Sequence, residues 1–113
     1  MVKFRYKSKI LFICNQNQNR SKTAEELFRK IFETKSAGLF NEKPVKKNQI
    51  EWADLIIVME KFQIEELIKR FPKESFKKRI LSINIPDIYV YKQPELIEIL
   101  NKKLPDIKAL AIH

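Results

Sequence analysis

Short apolar runs alternate along this chain with segments whose apolar residues recur at helical spacing, and few folds accommodate that alternation. The runs KILFIC at Lys9–Cys14 and LIIVM at residues 55–59 are rich in the residue types of buried strands. Elsewhere, apolar residues fall at the i, i+3 and i+4 positions of amphipathic helices. The pattern predicts strands at residues 9–14, 35–37, 55–59 and 79–83, and helices at residues 22–34, 49–54, 62–71 and 94–104.

This order of elements, a strand and then a helix in repeated alternation, is typical of a parallel sheet with helices on both faces. The chain has 113 residues, which is the size of one domain, and residues 1–113 are interpreted as a single domain. Ligands of such sheets bind in the crevice beyond the carboxyl ends of the strands. The segment that directly follows the first strand is therefore the first candidate for a functional site.

The chain has one cysteine, one glycine and one histidine, Cys14, Gly38 and His113, and their scarcity excludes several kinds of site. One cysteine cannot form an internal disulfide, and a single Cys and a single His cannot supply the ligands of a zinc site. One glycine excludes the Gly-rich nucleotide loops, and a Ser-His-Asp triad would depend on the terminal residue. We expect neither a metal nor a cofactor.

Charge and hydropathy indicate the location of the protein and the kinds of partner it binds. The 23 Lys and Arg residues exceed the 14 Asp and Glu residues, which gives a net charge of +9. The lysines are scattered, with local clusters such as Lys3, Arg5 and Lys7, so we expect a solvated surface that steers anionic substrates rather than a nucleic-acid site. No apolar run approaches the ~20 residues of a membrane span, and no signal-peptide pattern is present. We therefore expect a cytoplasmic protein with no membrane partner, as a monomer or a weak dimer.

The segment after the first strand joins a thiol to an arginine through a polar loop, Cys14 to Ser21. A helix N-terminus and a nearby guanidinium favour the thiolate form of a cysteine, and the same donors favour a phosphate dianion. Arg20 supplies a planar fork for two phosphoryl oxygens, and Cys14 would lie in line for attack on phosphorus. Simple burial of a small apolar side chain is the alternative for Cys14. The loop residues expected to contact a bound phosphoryl group are Asn15, Gln16, Asn17, Gln18 and Asn19.

Residues 10–29, ILFICNQNQNRSKTAEELFR, resemble the opening of the low-molecular-weight protein tyrosine phosphatases, in which an apolar strand precedes C-x5-R-S and a helix. The resemblance continues at Ser36-Ala37-Gly38 and at Ile85-Pro86-Asp87-Ile88-Tyr89, and it is greatest for the compact branch of predicted tyrosine phosphatases. It implies a three-layer α/β fold of the phosphotyrosine phosphatase I type, with four parallel strands in the order 2-1-3-4.

The resemblance also implies roles for individual residues. Cys14 would be the nucleophile that forms a phosphocysteine, Arg20 would clamp the phosphoryl oxygens, and Asp87 would protonate the leaving group and then help to activate water. Ser21 would hydrogen-bond the Cys14 thiolate, although a helix N-cap is the alternative. Asp87 could instead be only a turn residue.

Further roles follow from the same likeness. Asn17 would hold a left-handed turn, which Asn tolerates. Tyr89 would line the site. Simple packing is the alternative role for Tyr89, and also for Tyr91.

The chain departs from the family pattern within and beside the loop. Gln16 stands where the family has Gly, at a cost of about 1 kcal/mol if the backbone there is left-handed. Asn19 stands where many members have a second cysteine, so an oxidised Cys14 would have no neighbouring thiol. Lys22 and Ile88 stand where the family often has prolines. The segment of residues 39–49, which commonly shapes substrate choice in the family, is short in this chain.

The sequence therefore predicts a phosphomonoester hydrolase that acts through Cys14 on a phosphorylated protein or a small phosphoester. The alternative is a non-catalytic module that binds phosphate, a phosphorylated ligand or RNA on the same fold. A minor alternative is an arsenate reductase, which would have only Cys14 for its redox chemistry. The apolar residues near the end of the chain, Ala109 to Ile112, are expected to pack on this domain or on a second chain.

Overall fold

A sheet of four parallel strands forms the centre of the computed structural model, which describes residues 8–111. The strands are β1 (Lys9–Cys14), β2 (Glu33–Gly38), β3 (Leu55–Val58) and β4 (Arg79–Ser82), in the order β2-β1-β3-β4. The registers pair Cys14 with Gly38 and Ile13 with Val58, so the strands end together at one edge. The predicted strand order 2-1-3-4 is confirmed.

Five helices cover the two faces of this sheet within residues 8–111. They are α1 (Arg20–Phe28), α2 (Lys47–Trp52), α3 (Lys61–Arg70), α4 (Pro72–Phe76) and α5 (Pro94–Ala111). Successive strand residues point to opposite faces. Ile10, Phe12 and Cys14 therefore pack in a core with residues of α1 and α5, whereas Leu11 and Ile13 pack with residues of α2 and α3. This is the predicted three-layer α/β arrangement.

The first helix is shorter than its apolar pattern indicated. Helix α1 begins two residues before the predicted start and ends at Phe28, and β2 begins at Glu33. Phe32 is fully buried, but it packs in the core from the turn after the helix, where its backbone N–H donates to the Phe28 carbonyl at 3.0 Å. The strand predicted at residues 35–37 is longer and begins at Glu33, because all six residues of ETKSAG pair with β1.

The last helix is longer than predicted and continues through Pro105 to Ala111. Ile107 and Ala111 are buried against the sheet and extend the apolar stripe of Leu100, and this burial outweighs the backbone bond that proline removes. The end of the helix thus packs on its own domain. Ile112 and the basic residues near the start lie outside the described residues.

Helix α4 was not predicted, because it has only five residues, of which Pro72 is the first. Among residues 8–111, no helix has the length and apolarity needed to cross a membrane.

Candidate active site

Cys14 lies at the end of β1, in the middle of the sheet, with 3% of its surface exposed. Its Sγ atom is 2.9 Å from Ser21 Oγ and accepts a hydrogen bond from the backbone N–H of Asn17 at 3.3 Å. Residues 15–19 thus form a loop that returns to the cysteine from the N-terminus of α1. The polar neighbours of the sulphur are therefore one backbone N–H donor and one hydroxyl group.

Asn17 gives the loop its turn. Its backbone φ is 55°, in the left-handed region, whereas Gln16 does not adopt a positive φ. The glutamine that replaces the family's glycine therefore carries no left-handed strain. Asn tolerates this conformation because its short polar side chain bonds locally, and here Asn17 Oδ1 accepts a hydrogen bond from Ser21 Oγ at 2.8 Å.

The hydrogen atoms of the Cys14–Ser21–Asn17 network can be arranged in two ways. Ser21 has one hydroxyl hydrogen, so while it donates to Asn17 Oδ1 it accepts from the Cys14 thiol. In the opposite arrangement the Asn17 NH₂ donates to Ser21 and Ser21 donates to sulphur, which needs only a turn of the Asn17 amide and no movement of the backbone.

The loop presents backbone N–H groups that no protein group uses. Within residues 8–111, the N–H groups of Gln16, Gln18, Asn19 and Arg20 donate to no other residue. Unpaired N–H groups in a tight loop at a helix N-terminus form the donor set that binds a phosphate or sulphate anion. The loop is therefore equipped to hold an anion beside Cys14 Sγ.

Arg20 is the largest fully buried side chain, with 1% of its surface exposed. Its Nη1 donates to the Ile85 carbonyl oxygen at 2.6 Å and to the carboxylate of Glu60. Its Nε is buried and has no hydrogen-bond partner in the described part of the chain. One side of the guanidinium is thus fixed by the protein, and the Nε side keeps a donor for an anion.

Asp87 is brought next to this arginine. Its Oδ1 lies 3.6 Å from Arg20 Nε, and half of its side chain, 52%, is exposed to solvent. The position results from the segment after β4, where the Ile85 N–H donates to the Met59 carbonyl oxygen at 2.8 Å and extends the strand pairing. The Asp87 carboxylate therefore faces Arg20 and is also open to solvent.

The remaining predicted site residues differ in their placement. Asn15 lies at the start of the loop, and Gln18 is exposed at its outer side. Asn19 Oδ1 accepts a hydrogen bond from the backbone N–H of Tyr91, outside the loop. Tyr89 is half-buried and packs against the core shared by α1 and α5, and the structure shows no hydrogen bond from it to the described loop residues.

Two residues that hold the site were missed in the sequence, Glu60 and Gln63. The side chain of the fully buried Gln63 donates through Nε2 to Asn15 Oδ1 at 2.9 Å, and its Oε1 accepts from the backbone N–H groups of Met59 and Glu60. Glu60 is the N-cap of α3, just after β3, and Gln63 lies in the first turn of α3. The rule that pointed to the end of the first strand points equally to the end of β3, its neighbour in the sheet, and to the helix that follows it.

Gly38 explains how β2 approaches the loop so closely. A Cβ atom at this position would lie 3.0 Å from the Asn15 carbonyl oxygen and 2.8 Å from the Asn41 side chain. The Asn15 carbonyl accepts the N–H groups of Leu39 and Phe40 at 3.0 and 2.8 Å, which fixes the start of the loop against β2. Glycine is needed at this position because there is no space for a Cβ atom. Its backbone conformation is not the reason, since Gly38 does not have a positive φ.

The described residues include no group of three or more His, Cys, Asp and Glu side chains that could hold a metal ion. The donors at the site are N–H groups, a guanidinium and hydroxyl or amide groups. They suit an anionic ligand and not a cation.

Comparisons with known proteins agree with the fold. No protein-family model matches the sequence, and no curated protein matches it. Among solved structures, a YwlE mutant from Bacillus subtilis has 21% identity and a TM-score of 0.70, covering 89% of this chain and 99% of its own. The tyrosine phosphatase Wzb from Escherichia coli K30, in complex with phosphate, has 20% identity and a TM-score of 0.69, covering 88% and 95%. The tyrosine phosphatase AmsI from Erwinia amylovora has 20% identity and a TM-score of 0.73, covering 98% of both chains. At these identities the similarity establishes the fold.

Proposed function

We propose that this protein is a phosphatase that hydrolyses phosphate monoesters through a phosphocysteine intermediate on Cys14. The observation that carries the proposal is the buried thiol beside a loop in which Arg20 Nε and the backbone N–H groups of Gln16, Gln18, Asn19 and Arg20 have no hydrogen-bond partner among residues 8–111. A lone buried cysteine needs no such donors around it. The structural neighbours support the proposal, because they include tyrosine phosphatases and an arginine phosphatase.

In the first step, the Cys14 thiolate attacks phosphorus and forms the S–P bond while the bond from phosphorus to the leaving oxygen breaks. Asp87 gives its proton to that oxygen, so that a neutral alcohol or phenol departs. The loop N–H groups and Arg20 hold the three equatorial oxygens, on which the transition-state charge is spread.

In the second step, water attacks the phosphocysteine from the side that the leaving group vacated. The Asp87 carboxylate takes a proton from that water, the S–P bond breaks, and inorganic phosphate forms while sulphur returns to the thiolate. Ser21 and the Asn17 N–H stabilise the sulphur charge at the start and at the end of the cycle. One of the neighbours, an arginine phosphatase whose active-site cysteine is replaced by serine, carries a phosphoryl group on that serine.

The substrate is a phosphorylated protein or a small phosphoester. Half of the Asp87 side chain is exposed, so a large phosphorylated molecule can reach the acid. The Lys-rich surface, with a net charge of +9, favours the approach of anionic substrates.

Hydrolysis of 4-nitrophenyl phosphate at mildly acidic pH tests the proposal. The wild type should release nitrophenol and phosphate, and Cys14→Ala should lose at least about a thousandfold in kcat. Asn101→Ala, an exposed position on α5, should retain the wild-type rate. A wild type that binds phosphate but does not turn over would support the binding module in place of the enzyme.

A further inference from the structure

The segment that carries Asp87 is fastened at both ends to residues of the candidate active site. At one end, the Ile85 carbonyl oxygen accepts Arg20 Nη1 at 2.6 Å. At the other end, the backbone N–H groups of two consecutive residues, Tyr91 and Lys92, donate to side chains at the start of α1. Asp87 lies between these two attachments.

The second attachment uses one stripe of α1. Tyr91 N–H donates to Asn19 Oδ1 at 2.9 Å, and Lys92 N–H donates to Thr23 Oγ1 at 3.0 Å. Asn19 and Thr23 are four residues apart and so lie on one side of the helix start. Thr23 is buried, and its hydroxyl donates to the Asn19 carbonyl oxygen at 2.6 Å, which ties the two acceptors together.

A third residue of the same stripe, Glu26, strengthens the attachment. The Tyr91 hydroxyl donates to its carboxylate, and Lys92 Nζ lies 3.5 Å from Glu26 Oε1. The bond from Tyr91 holds the pKa of Glu26 below its ordinary value of 4.5 and raises the pKa of Tyr91 above 10.0. Two backbone bonds and one side-chain cluster therefore hold this end of the segment on α1.

The segment is preformed for this attachment. Lys92 has a φ of 59°, in the left-handed region that residues other than Gly and Asn rarely adopt. The turn is closed by Gln93, whose N–H donates to the Val90 carbonyl and whose side chain accepts from the Val90 N–H. Strain of this kind persists where surrounding contacts fix the backbone.

We propose that Asn19, with Thr23, is a positioning residue that holds the Asp87 segment over the phosphate loop. The inference rests on the proposed phosphatase function. Asn19 belongs to the loop by its backbone, while its side chain holds one end of the acid-bearing segment, so this residue links the loop of the nucleophile to the segment of the acid. The position where related proteins often have a second cysteine is thus used here for acid placement.

Two readouts separate positioning from a general structural role. The first readout compares kcat/KM for two substrates. The leaving group of phenyl phosphate needs a proton, whereas the leaving group of 4-nitrophenyl phosphate does not. Asn19→Ala should lower kcat/KM for phenyl phosphate about tenfold more than for 4-nitrophenyl phosphate. Thr23→Val, which keeps the shape of the side chain, should have the same effect to a smaller degree, and Asn101→Ala should have none.

The effect must also pass through Asp87. In an Asp87→Asn background, Asn19→Ala should cause no further loss on phenyl phosphate, because the acid is already absent. An equal loss on both substrates, or a loss on phenyl phosphate that persists in the Asp87→Asn background, would overturn the inference.

The second readout does not need activity. Backbone hydrogen exchange of the Tyr91 amide should be about fivefold to tenfold faster in Asn19→Ala than in the wild type, and unchanged in Asn101→Ala. Unchanged exchange in Asn19→Ala would overturn the attachment itself. A wild type inert on both substrates would refute the proposed function, and with it the catalytic part of this inference, while faster exchange would still support the attachment.

Discussion

Replacing Glu60 by Gln tests whether the buried arginine depends on its carboxylate partner. Arg20 is 1% exposed and Glu60 is 29% exposed, so the guanidinium cannot turn to water when the charge of its partner is lost. Gln retains an oxygen acceptor for Nη1 and the length of the side chain. The change therefore removes the charge of the partner and keeps the hydrogen bond.

The expected magnitude follows from that difference. Gln still accepts a hydrogen bond from the charged guanidinium, so the loss is that of the ion pair, which is worth about 0–1 kcal/mol at a surface and about 3–5 kcal/mol when fully buried. Because Glu60 is partly exposed, Glu60→Gln should lower the free energy of unfolding by about 1–1.5 kcal/mol. For a chain of 113 residues this corresponds to a decrease in Tm of about 4–6 °C. Because the guanidinium is also less firmly oriented, kcat/KM for 4-nitrophenyl phosphate should fall about ten- to a hundredfold.

A double-mutant cycle shows whether the loss belongs to this pair. Arg20→Met replaces the buried charge by an apolar side chain of similar length, and in that background Glu60→Gln should change the Tm by less than about 1 °C. Thermal unfolding of the four proteins gives the coupling energy. The same decrease in Tm with and without the arginine would refute the reasoning, as would an unchanged Tm in the single variant.

Other residues of the site give further expected outcomes. Asn17→Ala should be about 1 kcal/mol less stable than Asn17→Gly, because both lose the side-chain bond but only Ala is strained at a φ of 55°; chemical denaturation of the two variants measures this, and equal stabilities would contradict it. Gln63→Leu should lower the free energy of unfolding by about 3 kcal/mol, since it leaves the Asn15 amide oxygen, the buried Met59 N–H and the partly buried Glu60 N–H without a partner; a neutral result would show that water replaces those bonds. The lowered pKa of Glu26 means that its bond with Tyr91 stabilises the fold above pH 4.5 and that this contribution is lost as the pH falls through the lowered pKa. The Tm difference between wild type and Glu26→Gln should accordingly be present at neutral pH and vanish in acid, and phenol titration should show the pKa of Tyr91 nearer 10.0 in the variant.

The sequence predicted the central strands and the loop between β1 and α1 because their signals are local. The strand Lys9–Cys14 is apolar after its first residue, and the polar loop that follows it separates the thiol from an arginine at the first position of a helix. The interpretation of Asn17 as the left-handed residue is confirmed for the same reason, since Asn is the residue type that this conformation tolerates.

Other features depend on contacts that are distant in sequence. The polar β2 becomes a strand only through its pairing with β1, and Phe32 reaches the core from a turn, which imitates helical spacing. Glu60 and Gln63 act on residues 40 and 48 positions away. Their roles could be recognised only once the strand order had placed β3 next to β1.

Direct detection of the phosphoenzyme tests the central claim most strongly. The wild type is mixed with an aryl phosphate, quenched in the steady state and digested, and the phosphoryl group is mapped by mass spectrometry. The account predicts phosphate on the peptide that contains Cys14, and none in Cys14→Ala, which should not turn over. Turnover without phosphate on Cys14 in the wild type, or turnover retained in Cys14→Ala, would contradict it.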